Sequence, residues 1–155
     1  MQHPESGFVI KDIAPEQTYE VRQKVLRPGR PAKECEFEGD DAEGTFHLGL
    51  YIRPRLIAVA SYMPATSKNF SYKDQFQLRG MAVLQQYKGK GYGLALLKAG
   101  EDHLKKITNT PFLWFNARDY AIGFYEKSGY QTFGEKFDIP GVCPHIVMYK
   151  QLGLK

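Results

Sequence analysis

Residues 85–97 read QQYKGKGYGLALL, with glycines at 89, 91 and 93 and lysines at 88 and 90. A leucine-rich run of helical spacing follows at once. The first N–H groups of a helix lack internal acceptors and lie at the positive end of its dipole, so an anion is stabilised there. Glycine adds backbone angles closed to other residues and removes the Cβ that would block a close approach. Lys88, Gly89, Lys90, Gly91, Tyr92 and Gly93 therefore suggest a cradle for a diphosphate; a plain glycine-rich turn is the alternative. A Walker A loop would need Ser or Thr directly after Gly89 and Lys90 to hold magnesium, and Gly91 stands there. A dinucleotide fingerprint starting at Gly89 would need its third glycine at Leu94 and an acidic residue about 20 positions on, where Trp114, Phe115 and Asn116 stand. Both nucleotide readings weaken.

The elements around this segment follow from periodicity and punctuation. SGFVIKDIAP reads as an opening strand, and PEQTYEVRQKVLRPG as a helix with Pro15 in its first turn, stopped by Pro28 and Gly29. Residues 28–44 form a long polar loop, either plain surface or a flap overhanging a binding site. TFHLGLYI and LIAVASYMP are two strands of a hairpin turning at Arg53, Pro54 and Arg55. DQFQLRGMAVL is a further strand. A helix over about 91–107 follows, with Leu94, Leu97, Leu104 and Ile107 as its apolar stripe. PFLWFNA is a strand, and RDYAIGFYEKSG a helix carrying Ala121, Phe124 and Tyr125 on one face with Gly129 as its cap. YQTFGEKFDI and HIVMYKQL close the chain as strands. The order predicts a mixed α/β sheet with helices packed on it.

The 155 residues fit one domain over 1–155, and 43% hydrophobic against 25% charged residues permits a real core. Aromatics at 14% exceed what such a core needs, so some are expected to line a cleft. The net charge of +4 favours anions in general. Cys35 and Cys143 form no paired framework, no zinc spacing and no CxxC, so no metal is expected. The first residues lack a basic stretch leading into an apolar one, and no apolar run reaches transmembrane length. A soluble, cytoplasmic protein is expected, with no membrane partner. With no long Lys/Arg stripe and no RNA-recognition signature, nucleic acid is not an expected partner either.

MAVLQQYKGKGYGLALL, followed at the expected distance by FNARDYAIGFYEKSGY, resembles the GNAT superfamily of N-acetyltransferases. The family signature, Arg or Gln, two residues, Gly, one residue, Gly or Ala, falls on Lys88, Gly91 and Gly93, with Lys in the first place. A second register runs from Gln86 through Gly89 to Gly91; the first leads directly into Leu94 and the helix. The ending FDIPGVCPHIVMYK is similar to that of a bacterial subgroup of acetyltransferases. The resemblance implies a mostly antiparallel sheet of six or seven strands with a splayed middle and about four flanking helices. It implies that the amides from Lys88 to Leu94 bind the diphosphate of acetyl-CoA, and that the main chain of Met81, Ala82 and Val83 pairs with the pantetheine arm. It further implies that Asn116 bonds to the arm, that Ala121 leaves room for it, that Phe124 is among the residues binding the cofactor, and that Tyr125 sits near the sulfur.

The implied reaction moves an acetyl group from acetyl-CoA to a primary amine of a small molecule or peptide, in a ternary complex. The amine must be neutral to attack, and alkyl amines with a pKa of about 10.4 are mostly protonated at pH 7. A proton acceptor is needed, and the leaving thiolate needs a donor. Tyr125 is the expected donor, in the family's Phe-Tyr position; a purely packing aromatic is the alternative. The strand after Asp74 offers Gln77 and Arg79 but no carboxylate, where many relatives carry Glu. His145 and His47 are the candidate bases, each with a structural role as the alternative; His145 gains slightly because it stands at a Pro turn near the end of the sheet. Arg22, Arg27 and Arg30 could bind an acidic acceptor or form a solvated basic face. Cys143 is expected to be idle. A non-catalytic acyl-CoA sensor on the same scaffold is the competing reading, and a homodimer is left open.

Overall fold

The structure, a computed structural model, describes residues 2–3 and 7–153. Its eight strands form one sheet: β1 (Gln2–His3), β2 (Phe8–Ile13), β3 (Phe46–Ile52), β4 (Arg55–Pro64), β5 (Asp74–Val83), β6 (Pro111–Arg118), β7 (Gln131–Asp138) and β8 (Pro144–Gln151). Three α-helices flank it: α1 (Tyr19–Val25), α2 (Tyr92–Ile107) and α3 (Ile122–Glu126). The expected element order holds, with β1 added; Ser6, expected at the head of the first strand, lies outside the described residues. The predicted first helix begins as a 3₁₀ turn at Pro15–Thr18 before α1. The strands lie in the order β1-β2-β3-β4-β5-β6-β8-β7, and every neighbouring pair is antiparallel except β5 and β6. A parallel pair needs a crossover connection, and α2 provides it. The hydroxyls of Thr108 and Thr110, which lead from α2 into β6, both bond to the Asp74 carboxylate at 2.6 and 3.0 Å, closing that crossover at the foot of β5.

Alternation along the strands gives the sheet two different faces. On β4, Tyr62 points to α2, where its hydroxyl donates to the Leu96 carbonyl at 3.0 Å. Its neighbour Ser61 points to α1 and accepts from Arg22 Nη2 at 2.8 Å. The α2 face is packed by Leu48, Leu50, Ala58, Ala60, Leu113 and Phe115 against Leu96, Leu97 and Leu104. Gly100 is required at the contact, because a Cβ there would overlap the Tyr62 ring. The predicted stripe of α2 needs correction at its ends. Leu97 and Leu104 are buried, but Leu94 and Ile107 are 46% and 51% exposed. At about 100° per residue, Leu94 and Ile107 lie about 140° apart, on opposite borders of the stripe, and each stands in a terminal turn. Leu96, Gly100 and Glu101 take their places in the buried face.

On the other face, the loop over 28–44 is tied down from below. Arg22, fully buried on α1, donates to both Asp40 carboxylate oxygens at 2.8 and 3.0 Å and to the Cys35 carbonyl at 2.7 Å. The Asp40 carboxylate also accepts from the Phe37 amide at 2.9 Å. Burial alone would raise the Asp40 pKa, but these bonds outweigh it and the carboxyl is held below its usual range. His47 completes the network, its Nε2 at 3.0 Å from the Asp40 carbonyl and its Nδ1 at 2.7 Å from Ser61 Oγ. A carbonyl can only accept, so Nε2 carries a proton and donates to it, while Nδ1 and the Ser61 hydroxyl share the second bond. Removing one member of a buried ion pair strands its partner at a cost of about 3–5 kcal/mol. Asp40→Asn is therefore expected to lower stability by about 3 kcal/mol, read as a shift of the urea unfolding midpoint.

Candidate active site

The site begins where β5 leaves β6. The two strands pair only from Asp74 with Pro111 to Gln77 with Trp114. Beyond that, β5 runs on to Val83 held by β4, and β6 runs on to Arg118 held by β8. On β4, Ser61 faces Arg79 and Val59 faces Ala82, so Ala60 stands opposite two residues, Gly80 and Met81. This β-bulge bends β5 and opens a slot, because an extra residue locally increases strand twist. Gly80 has φ +66°, and a Cβ there would lie 2.9 Å from the Phe37 ring. The two lips are free strand edges, with Met81, Ala82 and Val83 on one side and Asn116 on the other.

The glycine segment stands at the head of the slot. Gly89 and Gly91 have φ of +79° and +88°, and Gly91 is the N-cap of α2 with no side-chain cap bond. The Lys88 amide donates to the Gln85 carbonyl at 3.2 Å, and the first helical bond is Ala95 N–H to the Gly91 carbonyl at 3.0 Å. Between them, the amides of residues 89–94 have no acceptor among the described residues. The expected run of seven amides is thus six, since that of Lys88 is already used. Gly93 sits over the β5 lip: a Cβ there would lie 3.7–3.8 Å from Val83, Met81 and Phe124. Met81, Val83, Gly93 and Phe124 are therefore brought together. Lys88, Lys90 and Leu94 are exposed, and Tyr92 is half-buried against Phe8. A cavity of about 320 Å³ lies outside the slot, lined by Lys24, Val25, Arg55, Leu84, Gln85, Gln86 and Lys88. Of the expected site residues it includes only Lys88.

The helix bearing Tyr125 is short and is held in place by a polar cluster. Ala121 is its N-cap. Behind it, the buried Glu101 of α2 accepts from the Tyr130 hydroxyl at 2.7 Å and lies 3.4 Å from Lys150 Nζ. Lys150 in turn donates to the Ser128 carbonyl at 2.9 Å. Glu101 was absent from the sequence expectations, although an acid at helical spacing between Leu97 and Leu104 is a readable signal of a partnered buried charge. Tyr125 packs on Phe115, with centroids 4.4 Å apart, and on Phe124 at 5.0 Å. Its hydroxyl has no hydrogen bond to a described residue. Burial pushes its pKa up to about 12.

His145 lies on the other face. It pairs with Arg118 across β6 and β8, in alternation with Ile146 and Met148, which face the α2 core. Its Nδ1 donates to the Cys143 carbonyl at 2.7 Å, which leaves Nε2 as an acceptor. His47 has both ring nitrogens engaged and is only 3% exposed. Asn116 shares the His145 face by alternation. Of the arginines, Arg22 is buried in its network and Arg30 is paired with Glu34 at 2.6 Å. Among the described residues no group of three or more His, Cys, Asp or Glu could hold a metal ion, and no helix is long and apolar enough to cross a membrane.

The sequence profile of the acetyltransferase (GNAT) family matches residues 10–130. The uncharacterized N-acetyltransferase YitI of Bacillus subtilis is 41% identical over 143 residues, covering 92% of this chain and 95% of that protein. Among solved structures, the ribosomal-protein-S18-alanine N-acetyltransferase of Escherichia coli superposes with a TM-score of 0.72 at 21% identity, over 96% of each chain. Arabidopsis thaliana NAA60, in complex with acetyl-CoA, superposes with a TM-score of 0.73 at 11% identity, covering 94% of this chain and 98% of that one. At these identities the two likenesses are of fold alone.

A phenol whose folded pKa is raised is stabilising below its unfolded pKa of about 10, and that contribution is lost as pH rises towards 12. The wild type is therefore expected to lose about 2–3 kcal/mol more than Tyr125→Phe between pH 9 and 12, measured by denaturant unfolding.

Proposed function

Since the chain belongs to the acetyltransferase (GNAT) family, we propose that it moves the acetyl group of acetyl-CoA to a primary amine by direct attack in a ternary complex. The observation that carries this reading is the run of six acceptor-free amides at residues 89–94, opening onto the slot between β5 and β6. Successive N–H groups in such a turn favour a bound anion, and a diphosphate suits them. The acetyl-CoA held by the Arabidopsis neighbour supports the same ligand here. Lys88 and Lys90 add positive charge. The main chain of Met81, Ala82 and Val83 pairs with the pantetheine amides as an added strand would. Asn116 bonds to the arm from the opposite lip, and Ala121 and Phe124 flank its end.

With both reactants held, much of the barrier is already met by orientation. The neutral amine forms a bond to the thioester carbon, and an N–H near Val83 stabilises the oxyanion. The C–S bond then breaks, and the thiolate takes a proton from the Tyr125 hydroxyl. A pKa of about 12 keeps that phenol protonated at neutral pH. The amine's surplus proton passes through water to His145 Nε2, on the face of the sheet opposite α2. We assign the activity to the cytoplasm, in keeping with two unpaired cysteines. A non-catalytic acyl-CoA sensor is the second reading; β5 carries no carboxylate beyond Asp74.

Tyr125→Phe is expected to lower kcat by about 10²–10³-fold in a thiol-release assay, with coenzyme A affinity by calorimetry unchanged. Gly91→Val, at φ +88°, is expected to cost at least about ten-fold in coenzyme A affinity while the protein remains folded. Full coenzyme binding with no turnover on any amine would favour the sensor.

A further inference from the structure

Three guanidinium groups surround one ring. Arg22, Arg79 and Arg27 lie 3.9, 5.0 and 5.5 Å from the centroid of Phe37. Like charges this close repel one another. Asp40 is the carboxylate in direct contact, with both its oxygens taken by Arg22, and Glu38 acts on Arg79 only from beyond ion-pair distance. Arg79 donates to a main-chain oxygen, that of Glu38, at 3.3 Å. Neither Arg27 nor Arg79 has a carboxylate within ion-pair distance among the described residues. Both are half-buried and reachable. Burial and the nearby Arg22 hold the Arg79 pKa below its ordinary value, so an anion placed beside it would relieve that penalty.

The position of the cluster matters as much as its charge. Arg79 immediately precedes the bulge at Gly80, two residues past Gln77, which is the last β5 residue paired with β6. Alternation puts it on the α1 face, together with Ser61, its partner on β4. The cations therefore flank the mouth of the slot on the face opposite Tyr125. Diphosphate and phenol occupy the α2 side, which leaves the α1 side for the second reactant.

We propose that Arg27 and Arg79 bind a carboxylate carried by the acceptor, so that the substrate is a small molecule bearing both an amine and a carboxylate. This rests on the acyl-transfer reading above. Planar guanidinium groups match a carboxylate in two-point contact, and Phe37 keeps them stacked and partly shielded from water. Arg22 acts as a positioning residue, holding Phe37 through Asp40.

The test uses the full chain saturated with coenzyme A for binding and with acetyl-CoA for turnover. The panel is the free α-amino acids, β-alanine and γ-aminobutyrate, each beside its carboxamide. At least one free acid should bind and react at least about ten-fold better than its amide. Arg79→Gln should raise the KM for that acid at least about ten-fold, the expected loss of a charge-assisted bond, with the KM for acetyl-CoA unmoved. Arg30→Gln, at an exposed pair away from the slot, should change neither. Amides that match their acids, or an Arg79→Gln variant with the wild-type KM, would overturn the proposal. A silent panel with normal coenzyme binding would overturn it while leaving the coenzyme site standing. Absence of coenzyme binding would overturn the acyl-transfer reading and this inference together.

Discussion

One extra residue in β5 shapes this molecule. Ala60 faces both Gly80 and Met81, and from that point β5 follows β4 away from β6. A regular strand there would have continued the ladder, and the two edges would have satisfied each other. Instead both edges keep main-chain groups facing a gap, in the middle of a sheet where such groups are normally paired. Glycine at 80 supplies the positive φ, and its lack of a Cβ lets Phe37 come down onto the bulge. The slot, the helix start above it and the arginines beside it all take their positions from this irregularity.

The two faces of the sheet are stabilised by different means, and each holds one wall of the slot. The α2 side is a dry core with a polar inclusion. There Tyr130, Glu101 and Lys150 satisfy one another and fasten the short segment that carries Tyr125. A helix of five residues has little stability of its own, so its position is owed to these partners. The α1 side carries a buried ion pair within a set of hydrogen bonds among Arg22, Asp40, Ser61 and His47, which leaves Arg22 Nε without a hydrogen-bond partner among the described residues. Such a network fixes geometry because each of its charged groups is costly to strand. Here the network converts a polar, turn-rich loop into a fixed wall over the bulge.

Much of this was readable along the chain. Apolar alternation marked seven strands, and glycine spacing before a leucine-rich run marked the turn that starts α2. Both are local signals: they depend on residues within one or two turns of each other. The readings that changed were those that depended on distant partners. Leu94 and Ile107 satisfy helical spacing with Leu97, yet the sheet covers only the centre of the stripe. Arg22, Arg27 and Arg30 look equivalent in sequence, but Asp40, Phe37 and Glu34 give them three different environments.

The sequence by itself determined the family, the order of the elements and the place of the glycine turn ahead of α2, because propensity, punctuation and hydrophobic period act over short separations. Tertiary structure alone decided which arginines stay unpaired, which histidine keeps a free nitrogen and which face each occupies. Those properties depend on who lies opposite across a strand pair or beneath a loop, and Arg79, Phe37 and Gly80 meet only when residues about forty positions apart are folded together.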